Sequence, residues 1–152
     1  MAAEIRSGKP EDAEAAIQTL RRSITELCRA DHGDDPEALE SWLANKTEAS
    51  WHDWLGRADR LVFVAEQDGL ILGVGMISTA GEVMLNYVEP DARFAGISKK
   101  LLTHMERGAS ERGLGCCFLE STRTALNFYL ACGYAPVNTG ESERRLEKRL
   151  GG

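Results

Sequence analysis

A basic stretch follows an apolar run in the middle of the chain. Residues 83–88 are mostly apolar and are typical of a strand, which Pro90 ends because proline has no N–H for a ladder. After Gly96 the apolar residues have helical spacing, at Ile97, Leu101, Leu102, Met105 and Ala109. The first N–H groups of a helix have no internal partner, and glycine lets an anion approach the backbone, so this turn can bind a phosphate. Positive charge is added by Arg93, Lys99 and Lys100. The alternative is an ordinary strand-to-helix connection with solvated basic residues.

The same stretch resembles the acetyl-CoA signature of the GNAT acyltransferases, [Arg/Gln]-x-x-Gly-x-[Gly/Ala]. Arg93, Gly96 and Ser98 occupy its three defined positions. Ser98 departs from the usual glycine or alanine, and its hydroxyl can compete for backbone N–H groups. The match therefore implies a cofactor turn with one altered position.

A second match lies in the last predicted helix. Residues 122–134 resemble the GNAT pattern Asn-x-x-Ala-x-x-Phe-Tyr-x-x-x-Gly-[Phe/Tyr], with Thr122 in place of the leading asparagine. The matching residues are Ala125, Phe128, Tyr129, Gly133 and Tyr134. Two motifs in the expected order, separated by a helix and a strand of the expected lengths, favour membership of the family.

Hydrophobic periodicity and turn residues predict alternating elements over residues 1–152, which we interpret as a single domain. Strands are predicted at 3–7, 61–65, 70–78, 82–88 and 116–120. Helices are predicted from residue 10 to about 31, from 36, from 47 and at 97–112, and a last helix, capped by residues 121–124, is predicted to run through 132. Residues 141–149 have helical propensity, but the family implies a final antiparallel strand, which we follow. The resemblance implies an α+β fold with a mixed, mostly antiparallel, splayed sheet and about four flanking helices.

The family also implies where acetyl-CoA binds. The pantetheine arm is expected along the free edge of strand 82–88, the pyrophosphate at the N–H groups of residues 93–98, and the adenine near the last helix. The residues expected to bind the cofactor are Tyr87, Val88, Arg93, Phe94, Ala95, Gly96, Ile97, Ser98, Lys99 and Asn127.

The implied reaction is direct transfer of the acetyl group to a primary amine of a small molecule or peptide. Tyr129 resembles the family's general acid for the leaving thiolate. Glu82 lies eleven residues before Arg93, similar to the general base of the histone acetyltransferase branch, and is expected to contact substrate. His32 and a chain of waters are alternative bases. His32 and Trp42 are expected to contact the acceptor amine.

Composition narrows the remaining classes of function. The net charge of −6 argues against nucleic-acid binding, and the absence of a long apolar run or signal peptide predicts a soluble, cytoplasmic chain that binds no membrane. The four cysteines form no metal-ligand pattern, so no metal site is expected. By analogy with the family, a homodimer is expected.

Two other functions stay open at this point. The departures at Ser98 and Thr122 are compatible with a module that binds acyl-CoA without catalysis. The adjacent Cys116 and Cys117 raise a redox role, but neighbouring residues of a strand point to opposite faces, so we expect two buried, reduced thiols.

Overall fold

The computed structural model describes residues 2–137 and 144–151. Within these ranges the strands are β1 (Glu4–Ser7), β2 (Arg60–Gln67), β3 (Leu70–Ser78), β4 (Val83–Val88), β5 (Cys116–Glu120), β6 (Ala135–Pro136) and β7 (Arg145–Arg149). The α-helices are α1 (Ala13–Leu27), α2 (Arg29–His32), α3 (Pro36–Leu43), α4 (Glu48–Gly56), α5 (Ile97–Glu111) and α6 (Leu126–Ala131). Short 3-10 turns at Pro10–Asp12 and Pro90–Ala92 precede α1 and α5.

The strands form two antiparallel sheets that touch at one point. The first sheet has the order β1-β2-β3-β4 and the second the order β5-β7-β6. They meet at a parallel bridge between Glu82 and Phe118, where the Phe118 N–H donates to the Gly81 carbonyl at 3.0 Å. In the described part of the chain no ladder joins β4 to β5 beyond this bridge, so the two strands diverge. The predicted splayed sheet, with β5 parallel to β4, is confirmed.

Helices cover both faces of the first sheet. On one face, α1 and α4 bury a cluster that includes Leu20, Ile24 and the fully enclosed Trp51. The indole N–H of Trp51 donates to the Lys9 carbonyl at 2.9 Å, so this tryptophan is a satisfied core residue. On the other face, α5 buries its apolar stripe of Ile97, Leu101, Leu102, Met105 and Ala109, as its spacing predicted.

Two glycines of β3 bring α5 close to the sheet. A Cβ at Gly73 would lie 2.9 Å from side-chain carbons of Ile97 and Leu101, and one at Gly75 would lie 3.2 Å from Met105. Gly73 and Gly75 pair with Val88 and Asn86 of β4. The helix therefore packs over the pairing of β3 with the end of β4, and its first turn lies at the opposite end of β4 from the Glu82–Phe118 bridge.

The first predicted helix is interrupted, so the described ranges contain six α-helices where the periodicity predicted five. α1 ends at Leu27, and Cys28 has a non-helical ψ of 31°. The His32 ring contributes to the break, since its Nε2 lies 3.1 Å from the carbonyl oxygens of Ile24 and Thr25. Periodicity cannot reveal such a side-chain contact, because the apolar stripe continues through Cys28.

The last helix starts at Leu126, shortly after the residues 121–124 that were predicted to cap it. Asp31, which lies 92 residues away, accepts the Arg123 N–H at 2.6 Å and the Thr124 N–H at 3.2 Å. The Thr122 hydroxyl accepts the Ala125 N–H at 3.1 Å. These side chains hold residues 122–125 as a turn before α6 begins.

The C-terminal segment forms the strand that the family implied. Residues 145–149 are β7, which pairs with β5 from Cys116↔Arg149 to Glu120↔Arg145. The helical propensity of this segment is therefore overridden by its place between two strands. The predicted residues 141–143 lie outside the described part of the chain.

Gly73→Ala should lower the free energy of unfolding by about 1–3 kcal/mol, because the added methyl group overpacks the contact with α5. For a chain of this size the thermal midpoint should fall by several degrees. Gly115→Ala is the control, since a Cβ there meets no atom within 4 Å and the backbone needs no positive φ. Equal midpoints for the two variants, measured by circular dichroism, would contradict this account of the packing.

Candidate active site

The divergence of β4 and β5 opens a cleft of about 430 Å³. β4 forms one wall from Val83 to Val88, and the other wall is built by the end of β5 and by α6. The first turn of α5 closes one end of the cleft. The edge of β4 that faces away from β3 has no strand partner in the described ranges beyond the Glu82–Phe118 bridge. This edge can therefore pair with an extended ligand that has amide groups.

The turn before α5 is shaped to receive an anion. Gly96 is the N-cap residue in a left-handed conformation, with φ of 81°, and no side chain caps the helix. A Cβ at Gly96 would meet no atom within 4 Å, so the space in front of the first N–H groups is open. Phe94 is 95% exposed, and the Arg93 guanidinium lies 5.2 Å from the centre of its ring. Arg93 and Lys99 provide positive charge at the cleft.

Tyr129 of α6 supplies a buried phenol to the cleft. Burial raises the pKa of Tyr129 well above its ordinary value, and the nearby Asn86 amide offsets only part of this increase. The hydroxyl therefore stays protonated at neutral pH and can act only as a neutral hydrogen-bond or proton donor until a base accepts its proton.

Asn86 places an unsatisfied polar atom beside this phenol. Its Nδ2 donates to the Ser98 carbonyl at 3.2 Å, which ties β4 to the first turn of α5. Its Oδ1 is buried and, within the described residues, has no hydrogen-bond partner. Because a buried acceptor without a donor destabilises the fold by about 1–3 kcal/mol, this oxygen marks a place where a ligand donor can be accommodated.

Cys28 also lines the cleft, at the break between α1 and α2. Burial, and secondarily the charge of Asp31, raise the pKa of this thiol to about 12. Since the thiolate is the nucleophilic form of cysteine, Cys28 is a neutral packing group at physiological pH. The geometry therefore offers no activated thiol to carry an acyl group.

A second, polar cavity of about 540 Å³ adjoins the cleft, and we call it the side pocket. Three residues, Tyr87, Glu120 and Thr122, line both spaces. The remaining residues of the side pocket are Asp31, Trp42, Ser121, Arg123 and Arg144. A reaction between groups held in the two spaces would take place where they join.

The predicted cofactor residues, with two exceptions, come together in this structure. The cleft is lined by Tyr87, Val88, Arg93, Phe94, Gly96, Ile97, Ser98 and Lys99. Ala95 is exposed in the same turn, and Asn127 is exposed on α6, outside the lining residues.

The predicted substrate residues are more dispersed. Glu82 is half-buried in the bridge to Phe118, where the two sheets meet, and the cleft lining begins at the next residue. Trp42 lines the side pocket. The buried His32 packs edge-on against Trp42, with ring centres 6.3 Å apart, and lines neither space. Its Nδ1 accepts the Asp34 N–H at 3.0 Å, and its Nε2 faces the two α1 carbonyls, so neither nitrogen is free to accept a proton.

Sequence reasoning missed three cleft residues, Asn86, Cys28 and Glu120. Asn86 had a local signal, because it is an amide within an otherwise apolar strand. Cys28 and Glu120 had none, since a cysteine on a helical stripe and a glutamate at a strand end are common in any sequence.

Two further properties concern only the described residues. No three histidine, cysteine, aspartate or glutamate side chains are grouped there as a metal site requires. No helix there has both the length and the apolar character needed to cross a membrane.

Comparison with known proteins relates this geometry to a family. A family model described as an acetyltransferase (GNAT) domain matches residues 30–146. The search of curated proteins gave no significant match. Among solved structures, the PaiA N-acetyltransferase of Thermoplasma acidophilum in complex with coenzyme A is 25% identical over 98% of this chain and 99% of that chain, with a TM-score of 0.86.

Two other solved structures share the fold. A GCN5-related N-acetyltransferase of Rhodopseudomonas palustris has a TM-score of 0.86 at 23% identity, covering 99% of this chain and 97% of its own. An aminoglycoside 6′-N-acetyltransferase complexed with coenzyme A has a TM-score of 0.69 at 14% identity, covering 98% of both chains. Since the family model spans most of the sequence and the diverging strands match these folds, the chain belongs to the GNAT acetyltransferase family.

Proposed function

We propose that the protein transfers the acetyl group of acetyl-CoA directly to a primary amine of a small molecule or peptide. The observation that carries this proposal is the cleft between β4 and β5, which has an anion-binding turn at one end and the buried Tyr129 phenol in its wall. Coenzyme A is bound by two of the similar structures, which supports the same ligand here.

Two features of the cleft fit such a cofactor. Because Gly96 has no Cβ, the volume in front of it is open. A pyrophosphate can therefore reach the N–H groups of the first turn of α5. The unsatisfied Asn86 Oδ1 suits an amide N–H of the pantetheine arm. Tyr87 and Val88 lie on the free edge of β4, along which the pantetheine arm would bind. The contact of the adenine with Asn127 stays a prediction.

Acetyl-CoA supplies a thioester carbon that an amine can attack. The ammonium form of the acceptor gives one proton to a base, and its nitrogen then forms the C–N bond as the C–S bond breaks. Tyr129 donates its proton to the departing sulfur and recovers one, through solvent, from the acylated nitrogen. One proton is released per turnover. The neutral Cys28 supports this direct route over an acyl-enzyme route.

For the base, we propose Glu82 acting through water. Glu82 is half-buried in the bridge to Phe118, where the two sheets meet, one residue before the cleft lining begins. A chain of waters without a single base is the alternative. His32 would have to leave its hydrogen bonds to serve in this role.

A non-catalytic module that binds acyl-CoA is the second candidate, and the Ser98 and Thr122 departures are its support. The redox alternative has less support, because Cys117 is buried and Cys116 points to the opposite face of β5. Burial raises the pKa of Cys117 to about 11, which leaves it an unreactive thiol.

Acetyl-CoA at ~100 times its dissociation constant should raise the thermal midpoint by roughly 5–10 °C, since it adds about 2.7 kcal/mol. Gly96→Ala should reduce that increase, because its methyl group enters the space for the pyrophosphate. Gly113→Ala is a matched control at the other end of α5, with φ of 82° and equally open surroundings. Both variants carry the same backbone strain. No shift in the unchanged protein, with no heat in calorimetry, would refute the cofactor site.

Tyr129→Phe should lower the rate of acetyl transfer about 10²–10⁴-fold, because the acid for the thiolate is lost. The acetyl-CoA midpoint shift should be retained. The rate is measured as thiol release with a pooled panel of amines, and mass spectrometry identifies the products. Tyr134→Phe is the control, since this ring lies 5.6 Å from Tyr129 but its hydroxyl donates to Glu106. An unchanged rate in Tyr129→Phe would remove the proposed acid.

Asn86→Leu should leave the apo protein at least as stable, because removing an unpaired acceptor compensates for the lost bond to Ser98. The same variant should show a smaller acetyl-CoA midpoint shift. Thr19→Val is the control, since the Thr19 hydroxyl already donates to the Ile71 carbonyl at 3.0 Å, and its removal should only destabilise. A stable Asn86→Leu protein with a full acetyl-CoA shift would show that Oδ1 does not receive a cofactor donor.

A further inference from the structure

The side pocket is lined by charged residues of both signs. Glu120 lines both the side pocket and the cleft, whereas Arg123 and Arg144 line only the remaining part of the side pocket, which we call its far end. Because an acetyl group held in the cleft can meet an amine only where the two spaces join, the reacting nitrogen must lie at the Glu120 end.

The carboxylate of Glu120 is available to a ligand. Glu120 is exposed at the end of β5, and in the described part of the chain its side chain has no hydrogen bond or ion pair. The aromatic residues Tyr87 and Trp42 form the adjoining wall. A carboxylate beside aromatic faces is a suitable environment for an ammonium group.

The charged residues at the far end of the side pocket differ in the contacts that they already make. Asp31 already accepts hydrogen bonds from the Arg123 and Thr124 N–H groups and from the Thr124 hydroxyl, at 2.6, 3.2 and 2.7 Å. It also lies 3.8 Å from the Arg144 guanidinium. Arg123, by contrast, uses only its backbone N–H in this contact, and its guanidinium has no partner in the described ranges. An anionic group of a ligand can therefore pair with Arg123.

We infer that the acceptor is an amine that carries an anionic group, a carboxylate or a phosphoryl group, at the end remote from its reacting nitrogen. Glu120 binds the ammonium at the junction, and Arg123 binds the anion at the far end of the side pocket. This inference rests on the proposed acetyl transfer and names the acceptor class for that site. A simple diamine would place its second ammonium against Arg123, where like charges repel.

The test compares acceptors of equal length that differ only at the far end. Straight-chain ω-amino acids of two to six carbons are assayed against the alkylamines and α,ω-diamines of the same lengths, and ω-aminoalkylphosphonates distinguish a phosphoryl group from a carboxylate. At the best length, the anionic acceptor should exceed both others in kcat/KM by roughly tenfold or more, the effect of one charge-assisted hydrogen bond.

Two variants connect the preference to the pocket. Arg123→Gln keeps the backbone bond to Asp31, so the turn before α6 is retained, and it should remove the preference for the anionic acceptors. Glu120→Gln should lower kcat/KM for all the amines. Arg112→Gln, an exposed residue at the end of α5, is the control and should keep the preference.

The outcomes separate this inference from the function on which it rests. Best turnover of an alkylamine or a diamine would overturn the acceptor class and leave acetyl transfer intact. Failure to acetylate any member, while acetyl-CoA still raises the thermal midpoint, would also overturn it. If no acceptor is acetylated and acetyl-CoA does not raise the thermal midpoint, the proposed function itself is refuted.

Discussion

The close approach of α5 to the sheet is the constraint on which the rest of the site depends. Gly73 and Gly75 remove the side chains that would otherwise hold the helix away from β3. With the helix in this position, Asn86 of β4 reaches the Ser98 carbonyl, and the left-handed Gly96 turn opens directly above the cleft. The position of this turn above the cleft is therefore a consequence of one packing contact and does not depend on the loop sequence alone.

A second long-range contact shapes the side pocket. Asp31 reaches from α2 to the turn before α6 and caps its N–H groups. The contact holds the turn of residues 122–125, which follows Glu120 and contains Arg123, and both of these residues line the side pocket. The N-terminal helices therefore contribute to the side pocket through Asp31 as well as through Trp42.

Burial determines the protonation state of the groups in the cleft. The pKa values of Tyr87, Tyr129 and Cys28 are all raised, in each case mainly because the charged form would lose its water. The cleft therefore presents neutral donors to a ligand, and the charged groups Arg93, Lys99 and Glu120 lie where solvent reaches them. This division suits a reaction in which a neutral acid is needed next to the leaving group, while charges bind the outer parts of the substrates.

Local sequence determined the elements and the residues around the turn before α5. Helical spacing identified the stripe of α5, glycine marked its start, and Pro90 marked the end of the strand before it, because these signals act over a few residues. Sequence alone could not place the break at Cys28, the contact of Asp31 with the turn before α6 or the position of Glu120, since each depends on how distant segments meet. Nor could it choose between helix and strand for β7, whose helical propensity is overridden by its pairing with β5 and β6. The tertiary structure decided these features, because a hydrogen bond from Asp31 to residue 123 exists only after 92 residues of chain have folded back.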